Sequence, residues 1–186
     1  MFKEKYRICP VWLAGSLDNR VRKWLQNPRK ILGSYVKSGM TVLDFGCGPG
    51  FFTVEIAELV GKSGRVIAVD VEEGMLQKLK EKVIGTELES RIKLHKCDEN
   101  RIGLLEHADV VVAFYVFHEL PNQIDILDEL KYILKDRGIM ILVEPKYIHV
   151  SNHDFEQTVS NAVDIGFKKL EYLKIFLSRA VVLRKG

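Results

Sequence analysis

A chain of 186 residues, 47% hydrophobic and 28% charged, fits one globular domain with a single sizeable core. A net charge of +3 at pH 7 is too small for a protein built mainly to coat nucleic acid, although it leaves RNA open as a substrate. Three cysteines (Cys9, Cys47 and Cys97) with no C-x-x-C pair argue against a disulfide scaffold and a structural zinc site, and point to reduced thiols in a reducing compartment. The N-terminus mixes Lys3, Glu4, Lys5 and Arg7 with few apolar residues, unlike a signal peptide. The longest apolar run, Val110 to Phe117, falls far short of the roughly 20 residues that span a bilayer. A cytoplasmic location is expected.

Residues 1–37 precede the first strand. Leu13, Leu17, Val21, Trp24 and Leu25 recur at helical spacing. Asn27-Pro28 reads as an N-cap with proline at the first helical position, and a second short helix carries Ile31, Leu32, Tyr35 and Val36. Arg20, Arg22, Lys23, Arg29 and Lys30 make this flank basic, as a solvated face or as a lip for an anionic or RNA substrate. Cys9-Pro10-Val11-Trp12 is a candidate lid.

The run Thr41-Val42-Leu43-Asp44-Phe45 is a short strand that breaks at Gly46, Gly48 and Gly50, and a helix follows with Phe52, Ile56, Leu59 and Val60 on one face. Strand, glycine turn and helix open a nucleotide-binding unit, in which glycines allow a sharp turn and close approach of a ligand. The spacing Asp44-x-Gly46-x-Gly48-x-Gly50 is not the G-x-G-x-x-G of dinucleotide binders. An acid stands two residues before the first glycine, which suits a ligand with a positive centre.

Gly61-Lys62-Ser63-Gly64 is a turn, and Arg65 to Asp70 a second, doubly buried strand. Met75, Leu76, Leu79 and Val83 mark a helix, Arg91 to Cys97 a third strand, and Asp109 to Phe117 a fourth. Pro121-Asn122 starts a helix with Ile124, Leu127, Leu130 and Leu134 inward, which Gly138 is placed to end. A fifth strand, Ile139 to Val143, runs into Glu144-Pro145-Lys146. Ser151-x-x-Asp154 resembles a capping box for a helix with Phe155, Val159, Ala162 and Val163 inward, stopped by Gly166. Lys168 to Ile175 and Ser178 to Arg184 have almost no loop between them and must pair antiparallel. The whole is an α/β chain: a doubly wound parallel sheet with one reversed strand, whose polar residues fall at the strands' carboxyl ends.

The glycine motif and the acids that follow it resemble the class I S-adenosylmethionine-dependent methyltransferases, from about Thr41 to the C-terminus. The resemblance implies a Rossmann-like sheet of seven strands with only the last antiparallel, in a single domain 1–186: a helical N-terminal segment or lid (1–37) and an α/β core (38–186). It implies S-adenosylmethionine as cofactor and S-adenosylhomocysteine as product. Asp70, about twenty residues past the glycine loop, is placed to accept both ribose hydroxyls, or else to cap the helix near Glu72. Val71 and Met75 would line adenine. Asp98, with Glu99 beside it, is placed for the adenine amino group, or else as a helix N-cap. Asp44 would face the cofactor's ammonium group, with Gly46, Cys47, Gly48 and Gly50 passing close to its sugar and methionine portion. Cys47 and Cys97 either touch the cofactor or pack as small core residues.

The fourth strand's end, from Phe114, a further cofactor-binding candidate, through Tyr115 to His118-Glu119-Leu120, is where the family meets methyl group and acceptor. It lacks the acid-or-Asn, Pro-Pro, aromatic motif of enzymes that methylate nucleic-acid amino groups, and looks more like enzymes acting on small molecules. His118 is a general-base candidate or a structural histidine; Tyr115 and Glu144 are further catalytic candidates, and His149 and His153 face either substrate or solvent. The expected reaction is in-line displacement onto a small-molecule acceptor, without a metal, by a monomer or homodimer. An RNA or ribosome-associated methyltransferase, a non-catalytic S-adenosylmethionine-binding subunit and, against the glycine spacing, a nicotinamide-dependent oxidoreductase are the alternatives.

Overall fold

The computed structural model describes residues 26–146 and 150–186. The expected N-terminal helix, the Cys9–Trp12 lid and His149 lie outside the described residues. The elements in order are α1 (Pro28–Leu32), β1 (Thr41–Phe45), α2 (Phe51–Val60), β2 (Arg65–Asp70), α3 (Glu73–Val83), β3 (Ile92–Lys96), β4 (Ala108–Phe114), α4 (Gln123–Ile133), β5 (Leu134–Pro145), α5 (Asn152–Ile165), β6 (Phe167–Leu173) and β7 (Ser178–Lys185). Among the described residues, seven strands form one sheet in the order β3-β2-β1-β4-β5-β7-β6. Only β7 runs against its neighbours, β5 and β6. The expected topology is the observed one. No helix among the described residues is long and apolar enough to cross a membrane.

Side chains alternate across each strand, so a sheet covered on both faces needs apolar residues at every position. Val42, Val110, Val112, Ile141 and Val143 pack under α2 with Phe52 and Ile56. Their sequence neighbours Leu43, Val111, Ala113, Met140 and Leu142 pack under α4 and α5 with Leu127, Leu130 and Phe155. Leu76, Leu79 and Val83 fix α3 over Ala68. Strand order reverses between β1 and β4, which opens a crevice at their carboxyl ends.

Local signals explain most boundaries. The Asn27 side chain accepts the Lys30 N–H and Pro28 opens α1. Ser151 and Asp154 form the full reciprocal capping box, and Gly166 ends α5 with φ 109°. Three expectations need correction. The fourth strand stops at Phe114, because Tyr115 takes φ 63° and turns the chain into a 3₁₀ turn at Phe117–Glu119. Helix α4 ends at Ile133 and passes straight into β5; the left-handed residue is Arg137, at φ 62°. Gly138 serves close packing instead, since a Cβ there would lie 3.2 Å from the Asp109 carbonyl oxygen of β4. Ile124 and Val163 are 54% and 44% exposed, and Ile126 takes the core position on α4.

Phe117 anchors the turn after β4. It is wholly buried and meets Phe45 edge-on, with ring centroids 6.2 Å apart. Phe117→Ala is expected to cost about 3–5 kcal/mol, read as a lower urea midpoint.

Candidate functional site

The glycine loop leaves β1 and is stitched to β2: the Gly46 and Cys47 N–H groups both donate to the Val69 carbonyl, at 2.9 and 3.0 Å. The glycines answer different constraints. At Gly46 (φ 70°) a Cβ would lie 2.6 Å from Val116 Cγ2, and at Gly50 (φ 83°) 2.3 Å from Leu79 Cδ1. Those two glycines admit the protein's own side chains. Among the described residues, nothing lies within 4 Å of where a Cβ would stand at Gly48. It is the point of the loop that a ligand can approach.

Asp70 ends β2 and is tied to that point. One carboxylate oxygen accepts the Gly48 N–H at 2.8 Å and the other the Glu72 N–H at 2.9 Å. The capping and ligand roles are therefore not exclusive. A carboxylate has about four lone-pair directions, and two serve the backbone here. Burial raises its pKa, and the hydrogen bonds from Glu72 and Gly48 oppose the rise. Val71 is half-buried beside it and Met75 is buried on α3. The Cys97 N–H donates to the Asp70 carbonyl at 3.1 Å, which sets the end of β3 against the same corner. Asp98 and Glu99 stand exposed beyond, with the Asp98 N–H on the Arg101 carbonyl. Cys47 and Cys97 are buried, and burial pushes both thiols up, Cys97 to about 11. Both are neutral small core residues.

Asp44 lies inside β1, 2% exposed. The Thr53 hydroxyl, one turn into α2, donates to it at 2.6 Å. Burial pushes its pKa up to about 7, against the lowering effect of Thr53. Thr53 was not among the sequence candidates; its signal is position, at the first turn of the helix that follows the motif.

The carboxyl ends of β4 and β5 form a second group. Glu144 is 2% exposed and accepts the Phe117 N–H at 2.9 Å on Oε1. Its Oε2 lies 2.6 Å from His118 Nδ1. Burial lowers the His118 pKa, but the hydrogen bond and charge of Glu144, with Glu119 behind, more than offset this and leave it above the ordinary 6.5. A cavity of about 220 Å³ borders His118 and Glu144, walled by Phe117, Gln123, Val150 and Thr158. Gln123 and Thr158 were missed by the sequence reading. The carboxamide of Gln123 spans from the Thr158 hydroxyl to the Phe117 carbonyl, both at 2.8 Å.

Two catalytic candidates thus come together, and Tyr115 does not join them. Its hydroxyl meets Ser178 Oγ at 2.6 Å and the Gln26 carboxamide, at the start of β7. Phe114 is buried, with its ring 4.0 Å from that of Phe52. His153 has an 85% exposed side chain.

The first group fits a cationic nucleoside: open space at Gly48, a buried carboxylate with spare acceptor capacity at Asp70, and a buried acid at Asp44. Asp44 also makes the fold pH-sensitive. Between its ordinary 3.8 and about 7, folded Asp44 holds a proton that the unfolded chain has released, so stability falls as pH rises through that window. Asp44→Asn removes this titration. The variant's stability relative to native is expected to grow by roughly 1.4 kcal/mol per pH unit across the window, read by urea unfolding.

Residues 36–176 match the model of a family described as methyltransferase domain. A demethylmenaquinone methyltransferase of Lactobacillus johnsonii is 28% identical over 149 residues, covering 80% of this chain and 56% of that protein. One from Staphylococcus aureus is 30% identical over 122 residues, covering 65% and 48%. The chain spans about half the length of the curated relatives it matches. The crystal structure of a SAM-dependent methyltransferase from Aquifex aeolicus matches with a TM-score of 0.84 at 26% identity, covering 96% of this chain and 100% of that one. With the family model matched along most of its length and the sheet order in agreement, the chain belongs to the methyltransferase domain family and has the class I fold of S-adenosylmethionine-dependent methyltransferases.

Proposed function

We propose that this chain binds S-adenosylmethionine across the carboxyl ends of β1 and β2 and transfers its methyl group to a small-molecule acceptor beside β4 and β5. The observation that carries the reading is Asp70: a buried carboxylate held by the Gly48 N–H at the open point of the glycine loop. The name of the relatives, demethylmenaquinone methyltransferase, supports a small-molecule acceptor.

S-adenosylmethionine supplies a methyl group already activated on a sulfonium. The residues have to hold, align and shield. Asp70 accepts the two ribose hydroxyls on its remaining lone pairs, which charge assistance strengthens. Val71 and Met75 offer apolar surface to the adenine, and Asp98 an acceptor for its amino group. Asp44 gives a buried negative charge to an ammonium group, and the arriving cation favours its ionised form. Gly48 lets the ligand come close to the backbone. Alignment of this kind supplies about 7–11 kcal/mol of barrier reduction.

Calorimetry with S-adenosylmethionine and S-adenosylhomocysteine tests the reading. The native chain is expected to bind both. Asp70→Asn, which keeps an acceptor for one backbone N–H, is expected to weaken both by about 100-fold or more, as two charge-assisted hydrogen bonds are lost. Absence of binding to the native chain, or equal binding to the variant, would refute it.

A further inference from the structure

We propose that His118 and Glu144 form a proton-accepting pair for an acceptor bearing a weakly acidic hydroxyl, with Glu144 as the positioning residue. The proposal rests on the methyl-transfer reading above and adds to it the chemical class of the acceptor.

Hydrogen bonding fixes the imidazole. Both Glu144 oxygens are taken, Oε1 by the Phe117 N–H at 2.9 Å and Oε2 by His118 Nδ1 at 2.6 Å. An ionised carboxylate can only accept, so Nδ1 carries the proton and Nε2 presents a lone pair. Glu119 Oε1 is 3.8 Å from Nε2, too far for a hydrogen bond. Glu144 itself is 2% exposed and turns Oε2 to the imidazole, so it holds the ring and balances the charge that forms there.

Placement puts the pair beside the cofactor loop. Val116, two residues before His118, fills the space over Gly46. The pair also borders the cavity of about 220 Å³. Ligand pockets run roughly 300–1,000 Å³. This one holds the reacting part of an acceptor, such as one ring, between apolar Phe117 and Val150 and polar Gln123 and Thr158.

Among the described residues, the charged groups that face the imidazole or its cavity are acidic: Glu144 from β5, Glu119 from its own turn, and Asp154 from α5 on the cavity wall. They favour the protonated ring and make His118 a stronger base. A thiol, with pKa near 8.5, already holds a few per cent of its reactive anion at neutral pH, whereas a phenolic hydroxyl near 10 holds about thirtyfold less and gains more from a base. In transfer the hydroxyl gives its proton to Nε2 and its oxygen lone pair to the methyl carbon, while the C–S bonding pair stays on sulfur. Solvent later takes the proton from Nε2.

The test uses the full chain. Calorimetry with S-adenosylhomocysteine comes first, because failure to bind removes the methyl-transfer reading and not merely this proposal. With binding established, ¹⁵N NMR of the histidine ring is expected to show the Nδ1–H tautomer in the native protein, with a pKa above 6.5. In Glu144→Gln the single amide oxygen can serve either Phe117 N–H or Nδ1–H, not both. The pKa should fall, and the tautomer should move toward Nε2–H. A native Nε2–H tautomer, which is read without any variant, or an unchanged pKa in the variant, overturns the pairing. Methyl transfer to catechol should rise with pH through the NMR pKa and fall about 100-fold in His118→Gln. Transfer to thiophenol should fall at least tenfold less. Equal losses, or no transfer to catechol by a chain that binds S-adenosylhomocysteine, overturn the hydroxyl assignment.

Discussion

Strands β1 and β4 lie side by side, Val42 against Val110 and Phe45 against Ala113, and this parallel pairing fixes where every polar group of the site can stand. Helices cover both faces of the sheet, so an unsatisfied polar side chain within a strand would be costly. The strands become polar where they leave the sheet. Asp70 and Glu144 stand at the carboxyl ends of their strands, and the chain between them crosses over helices that keep those ends on one edge. Asp44 is the exception, one residue inside β1.

Three buried acids are stabilised in three ways. Asp44 has a hydroxyl from Thr53, Asp70 two backbone N–H groups, and Glu144 an N–H and an imidazole. Their chemistry follows from these partners. Asp44, with a single hydroxyl for help, is pushed up to about 7 by burial. Asp70 keeps acceptor capacity after serving the backbone. Glu144 shares its two oxygens between the backbone of the turn and the imidazole of His118. One sheet edge thus holds three carboxylates in three different environments.

Much of this was legible in the sequence because its signals were local. The glycine spacing, the acid about twenty residues later, the capping box at Ser151 and the near-loopless terminal hairpin each sit within one short stretch, and each led to the correct element. What was missed was either conformational or long-range. Nothing in the letters of Tyr115 says that it adopts a positive φ and ends β4, and Arg137 does the same where Gly138 invited the choice. On α4 the apolar stripe can be drawn through Ile124 or Ile126, and only packing decides. The hydrogen bond between His118 and Glu144 joins residues 26 apart on adjacent strand ends, so either could be singled out alone but not as a pair. Thr53, Gln123 and Thr158 are ordinary helix residues until the fold aims them.

The division of labour within the glycine loop has a consequence for how sequence variation is read. At Gly46 and Gly50 any side chain meets Val116 or Leu79, whether or not a ligand is present. Variants there fail as folding defects and reveal little about chemistry. Gly48 faces open space with φ 53°, a conformation that asparagine tolerates. An asparagine at that position fills open space without displacing a core side chain, so a survey of abundance alone would separate Gly48 from Gly46 and Gly50.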